Sequence, residues 1–292
     1  LLYHIHPPTE VKEILKKTSH IWISHEHPDH FSVKFIIEYY EFIKSKIFLF
    51  QETQDKRVVN FLKAKKLEVI ELKNREKLFG GWISFDSPSI AETLSNADFD
   101  FISIDMEHST ITLPQAQRIV AACQSQNVCC LPRPVSHSNN FIKPLLESGS
   151  DGLIIQMVNN SKELEKIIDN FKYPPIGNRS FGVNRAQGYG FDFDNYVNNW
   201  NDNSSLIIQI ESKMAVDNID SLLKYKEVDG VMIGPYDISG SYGVPGQINH
   251  AKVIEASKKV ILACKKYGKS CGTQIADPNK DNVSSFFDMG YT

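Results

Sequence analysis

LIIQIESKMAVDNIDSLLKYKEVDGVMIGPYD, residues 206–237, decides how this chain is read. It opens with a short apolar run, LIIQIE (206–211), passes through a helical pattern, VDNIDSLLKYK (216–226), and closes on a second run, GVMIGPYD (230–237). Strands that are apolar on both faces belong to parallel sheets covered by helices. A helical crossover is what joins two parallel neighbours. Each run also ends in an acid, Glu211 and Asp237. Charged groups collected where parallel strands stop are how a β/α barrel builds its active site.

The same alternation extends in both directions. Strand-like runs recur at GWISF (81–85), FISIDM (101–106), VCCLPRP (128–134), GLIIQMV (152–158) and SCGTQIA (270–276). Helical patterns fill the gaps at 87–97, 113–126, 140–148, 161–171 and 250–267. Together with 206–211 and 230–235 these make seven strands, and an eighth would begin where the chain stops. The expected fold class is therefore α/β, a (β/α)8 TIM barrel over 80–292 lacking its last βα unit. Leu1 and Thr292 accordingly read as cut edges. Residues 1–79 differ in texture, being rich in Lys, Glu and Ile, with strands expected at 19–25, 46–50 and 67–72 and helices at 8–17, 31–44 and 54–65. Gly80-Gly81 reads as the break between the two parts.

Bulk composition narrows the function. At 292 residues, 41% hydrophobic and 23% charged, the chain has ordinary globular composition. A formal net charge of −3, with Lys and Arg dispersed, favours neither nucleic acid nor an anionic membrane as a partner. No apolar run approaches the roughly 18 residues of a membrane span, and no signal peptide is expected. The five cysteines form no CxxC pair, and Cys129 and Cys130 sit side by side on a strand. They read as small buried hydrophobes in a reducing, cytoplasmic setting.

The candidate site gathers at strand ends. Glu211 and Asp237 offer hard oxygen ligands for a dication with positions left open for substrate, although capping or ion-paired acids would leave the same trace. Arg133, between Pro132 and Pro134, is placed to clamp a carboxylate or an enolate, with an ordinary ion pair as the alternative. Asp105 and His108 stand three apart beside Glu107, and a carboxylate at that spacing is expected to fix the imidazole tautomer for proton transfer. The segment 174–190, carrying Arg179 and Arg185, reads as a Gly-rich lid or anion-binding loop. His137, in SHSNN (136–140), reads as a plain loop residue.

The strings WISFDSPSIAE (82–92), DFDFISIDMEHS (98–109), LPRP (131–134), ESGSDGLIIQMV (147–158), YPPIGNRSFG (173–182), QIES (209–212), VDGVMIGPYDISGSYGVPGQ (228–247) and ADP (276–278) occur in order. Through them residues 81–292 resemble the HpcH/HpaI aldolases, class II pyruvate aldolases of the 4-hydroxy-2-oxoheptanedioate and 2-dehydro-3-deoxyglucarate type. The resemblance implies a divalent metal, Mg²⁺ or Mn²⁺, on Glu211 and Asp237, with Arg133 steadying an enolate and His108, supported by Asp105, handling the proton. Gln209 would line the pyruvate pocket, and backbone N–H groups around Pro235, Tyr236 and Asp237 would receive the pyruvate carboxylate. The implied reaction cleaves a 2-oxo-4-hydroxy acid to pyruvate and an aldehyde. The resemblance also implies homo-oligomers joined through a last helix, and a chain cut before that helix is not expected to assemble in the same way.

A second motif stands apart. SHEHPDH (24–30) sets His25, His27, Asp29 and His30 within six residues after an apolar strand, a zinc-ligand spacing. Residues 1–79 resemble part of a metallo-β-lactamase-fold hydrolase, which implies His25 and His27 on one Zn²⁺ and Asp29 and His30 on another. The downstream ligands such a fold requires are missing, so the motif reads as a vestigial zinc site. His4 and His6 read as a solvated strand. Beside the leading aldolase reading stand two others, a zinc hydrolase acting through 25–30 and a non-catalytic fusion fragment.

Overall fold

Every strand pairing among the described residues is parallel. The computed structural model describes residues 8–17, 20–23, 33–51, 57–72, 77–97 and 99–292. The chain separates into two units, Leu1–Glu76 and Lys77–Thr292. No helix among the described residues is long and apolar enough to cross a membrane. The five cysteines are free thiols.

In the first unit β1 (His20–Ile23), β2 (Ile47–Gln51) and β3 (Glu68–Leu72) pair in that order. Helices span Pro8–Lys17, Val33–Glu38, Tyr40–Ile43 and Arg57–Ala64. The core is small: Val11, Leu15, Ile36, Tyr39, Ile43, Phe48, Leu62 and Leu67. The helix expected at 31–44 is interrupted at Tyr39, whose φ of −105° and ψ of 15° leave helical space while its side chain stays buried. His25, His27, Asp29 and His30, like His4 and His6, lie outside the described residues.

The second unit contains β4 (Gly80–Ile83), β5 (Phe101–Ile104), β6 (Cys129–Cys130), β7 (Gly152–Ile155), β8 (Ser205–Ile210), β9 (Gly230–Ile233) and β10 (Ser270–Thr273). The ladders run β4-β5-β6 and β7-β8-β9-β10. Asp151 N donates to Cys130 O and Ile154 N to Pro132 O, both at 3.0 Å, so β6 lies beside β7 and the seven strands follow one another in chain order. The formal strand β6 is short because Pro132 and Pro134 have no N–H to donate. Arg133, between them, keeps its N–H and gives it to Ile104 O at 2.7 Å, while its carbonyl receives Met106 N at 3.0 Å. That bridge sets Arg133 beside Asp105. At the opposite strand ends, the carboxylates of Asp100, Asp151 and Asp229 accept the N–H groups of Phe79, Cys130 and Leu206 at 2.9, 2.8 and 2.8 Å.

Gly80 and Gly81 open β4 just past the boundary between the two units, and a Cβ on Gly80 would lie 2.3 Å from the Phe101 ring. The helix expected at 216–226 is two short ones, Lys213–Asp217 and Ile219–Leu223, hinged at Asn218. An Asn- and Asp-rich stretch with poor helix propensity forms a further helix, Phe193–Asn203. Tertiary contacts hold it. Trp200 Nε1 donates to Phe171 O at 2.8 Å, and the Asn201 amide brackets the Tyr173 backbone at 2.8 and 3.0 Å.

Candidate functional site

The site begins with a buried ion pair. Arg133 directs Nε and Nη2 at the two oxygens of Asp105, at 3.2 and 2.8 Å, a bidentate pair in which both side chains are nearly sealed from solvent. Trp82, on β4, completes it: its ring lies 4.9 Å from the guanidinium carbon and its Nε1 donates to Asp105 Oδ2 at 3.3 Å. The backbone N–H groups of Glu107 and His108 both reach Asp105 Oδ1 at 3.1 Å. Burial works to raise the pKa of Asp105, but the hydrogen bonds from Arg133, His108 N and Trp82 outweigh it and hold the carboxyl below its ordinary value. Asp105 is thus a committed counter-ion for Arg133.

This corrects the expected Asp105–His108 pairing. Asp105 takes the backbone N–H of His108 and has no capacity left for the imidazole. The ring is 69% exposed, and the carboxylate nearest it is Glu107, with Nε2 to Oε2 at 3.7 Å. Glu107 Oε2 also lies 3.1 Å from Arg133 Nη1, paired in charge but out of line for a hydrogen bond. Burial raises the Glu107 carboxyl above its ordinary pKa, against the pull of Arg133.

Gln209 links this pair to the acids. Its Oε1 accepts from Arg133 Nη1 at 3.2 Å, and its Nε2 donates to Glu211 Oε1 at 3.2 Å. Glu211 is buried, and its other oxygen accepts the Met157 N–H at 2.9 Å. Gly234 makes room for it, since a Cβ there would sit 2.6 Å from Glu211 Cγ. Burial pushes the Glu211 carboxyl up to about 7, opposed by Met157 N–H and reinforced by the neighbouring charges of Asp237 and Glu107. Asp237 stands exposed in the first turn of the helix Pro235–Ser241, directly after β9. Pro235 has no N–H, and those of Tyr236 and Asp237 have no helical acceptor.

Among the described residues no three His, Cys, Asp or Glu side chains gather closely enough to hold an ion by themselves. The donor set nevertheless fits a hard dication that takes further oxygens from water and substrate. A buried carboxylate beside two other acids is the electrostatic situation a cation relieves.

The segment 174–190 turns out differently. Arg179 is sealed against Glu147 Oε1 at 3.1 Å, between Tyr173 and Trp200, each 4.6 Å from its guanidinium carbon, with Tyr196 OH at 3.2 Å. Arg185 donates to Gln124 Oε1 at 2.6 Å and Ser148 O at 2.8 Å. Both are structural cations, so the anion-loop expectation fails. Trp82 and Met157 were not singled out from sequence; the apolar strand ends WISF and LIIQMV were the available signal.

Comparison with known proteins bears on the family. The sequence model of the HpcH/HpaI aldolase/citrate lyase family matches residues 78–292. A 2-keto-3-deoxy-L-rhamnonate aldolase from Salmonella typhi is 33% identical over 212 residues, 71% of this chain and 78% of that protein. The crystal structure of an HpcH/HpaI aldolase from Desulfitobacterium hafniense superposes with a TM-score of 0.67 at 27% identity, covering 73% of this chain and 83% of that one. A family protein from Burkholderia cenocepacia gives a TM-score of 0.70 at 26% identity over 73% and 85% of the two chains. None of these matches supports a metallo-β-lactamase-like segment in residues 1–79. The chain belongs, through residues 78–292, to the HpcH/HpaI aldolase/citrate lyase family, and it is an enzyme of the aldehyde-lyase kind.

Proposed function

We propose that residues 78–292 form a metal-dependent pyruvate aldolase on a β/α-barrel scaffold, cleaving a 2-oxo-4-hydroxy acid to pyruvate and an aldehyde. The observation that carries this reading is the Gln209 amide, which joins a buried guanidinium to a buried carboxylate across one strand-end mouth. Glu211 and Asp237 would hold Mg²⁺ or Mn²⁺, which when bound supplies Lewis-acid polarisation of the 2-oxo group. Arg133, with Asp105 and Trp82 fixing its plane, presents its Nη1 edge to the oxygen on which enolate charge develops. Preorganisation is the point: the guanidinium is oriented before substrate arrives. The free N–H groups of Tyr236 and Asp237 receive the pyruvate carboxylate. His108, open to solvent beside Glu107, takes the C4 hydroxyl proton as the C3–C4 bond breaks. A cytoplasmic setting suits the free thiols.

The test is pyruvate release coupled to lactate dehydrogenase, with a panel of 2-oxo-4-hydroxy acids that includes 2-keto-3-deoxy-L-rhamnonate. NADH consumption that needs added Mg²⁺ or Mn²⁺ and stops with EDTA is the expected result. Absence of pyruvate across the panel with metal present would overturn the proposal. No observation among the described residues favours zinc hydrolysis at 25–30.

A further inference from the structure

The loop after β7 contains a residue in an unusual conformation. Met157 has φ of +50°, in the left-handed region that side-chain-bearing residues seldom occupy. Its N–H is the one that donates to Glu211 Oε2 at 2.9 Å. Such outliers persist only where the surroundings over-determine them. Two bonds do so here, one at each end of a single peptide unit. The N–H of the 156–157 peptide goes to Glu211. The carbonyl of the same peptide, Gln156 O, is met by His137 Nε2 from the loop after β6. A carbonyl only accepts, so Nε2 carries the proton.

We infer that His137 is a positioning residue for Glu211, acting through the 156–157 peptide. Its ring holds the carbonyl, the carbonyl fixes the peptide plane, and the plane aims the N–H at the carboxylate. His137 touches neither substrate nor metal in this arrangement. Without its N–H the peptide loses one of two anchors, and rotation toward ordinary φ values carries Met157 N–H away from Glu211. Glu211 would then keep only the Gln209 amide as a donor. Groups that orient a metal-binding carboxylate typically change metal affinity by about 10–100-fold when removed. The role as a metal-site support rests on the proposed assignment of Glu211, whereas the peptide geometry does not.

The experiment therefore has two readouts. Selective ¹⁵N-methionine labelling yields one amide signal for each of the five methionines, and Met157→Leu identifies the one in question. His137→Ala and His137→Phe, the second keeping ring volume without a donor, should move the Met157 signal, and His137→Gln, which returns an N–H, should restore it. Mn²⁺ titration followed by electron paramagnetic resonance should show a Kd raised about tenfold in the Ala and Phe variants and recovered in Gln. If His137→Ala fails to fold, the Phe and Gln variants carry the test. A Met157 signal unmoved in both donor-less variants, or a Kd unchanged in them, overturns the inference. Absence of Mn²⁺ binding in the parent, with the Met157 signal still responding, overturns the metal assignment of Glu211 instead.

Discussion

Two buried arginines in the second unit show what separates the cation proposed to act on substrate from a structural one. Arg133 and Arg179 are both nearly sealed, both paired with a carboxylate, and both packed on aromatic rings. Arg133 sits at a strand end, where one face of its guanidinium is satisfied by Asp105 and the other edge meets Gln209 and Glu107. Arg179 sits between the helices Asn139–Glu147 and Phe193–Asn203, closed in by Glu147, Tyr173, Tyr196 and Trp200. Burial and pairing are alike in the two. An edge turned toward a group of acids belongs to Arg133 alone of this pair.

The largest expected effect breaks the mouth itself. Glu211→Ala or Asp237→Ala should lower metal-stimulated pyruvate release by about 10³-fold or more, since a Lewis acid supplies several kcal/mol of charge stabilisation. The two arginines should then separate cleanly. Arg133→Met should reduce kcat/KM by about 10²–10³-fold, as for loss of an oxyanion donor. Arg179→Met should leave kcat/KM of the folded enzyme nearly unchanged while lowering stability by about 3–5 kcal/mol, because Glu147 stays buried without its partner. Coupled assays beside urea melts test both. Equal loss of activity in the two variants would erase the distinction.

The pH dependence sharpens the same contrast. Burial raises the folded-state pKa of Glu211 from 4.5 to about 7. An acid shifted upward ionises first in the unfolded chain, so its contribution to stability is whole below about 4.5 and is lost as pH rises through about 7. Metal needs the carboxylate, so Mn²⁺ affinity should fall about tenfold per unit as pH drops below 7. Titrations between pH 5 and pH 8 would show it, and a flat profile would remove Glu211 from the ligand set. The smallest effect lies at the turn before the helix Phe193–Asn203. Phe191 is 98% exposed, and Phe191→Ser should change stability by no more than about 0.5 kcal/mol.

Much of this site was legible in the sequence, and the misses have definite causes. Apolar runs ending in charge at Asp105, Arg133, Glu211 and Asp237 placed four side chains at one set of strand ends. What failed was pairing. Proximity along the chain suggested Asp105 for the imidazole of His108, whereas parallel register delivers Arg133 from 28 residues away. Arg179 and Arg185 sat in a Gly-rich stretch that looks solvent-facing until the helix Phe193–Asn203 forms, which its composition conceals. His137 looked like an ordinary loop residue because its partner is a backbone carbonyl, and no residue type advertises that.

The sequence alone determined the parallel α/β plan, because continuous apolar runs of strand length separated by amphipathic helical patterns can be buried efficiently in few other ways. It also determined which charged residues stand at the strand ends, since position along a strand is a local property. Tertiary structure decided which of those charges face one another, which arginine turns an edge toward the acids, and how the 156–157 peptide is turned. Those outcomes depend on register between strands far apart in the chain and on competition for a limited number of hydrogen bonds, and neither is written in local spacing.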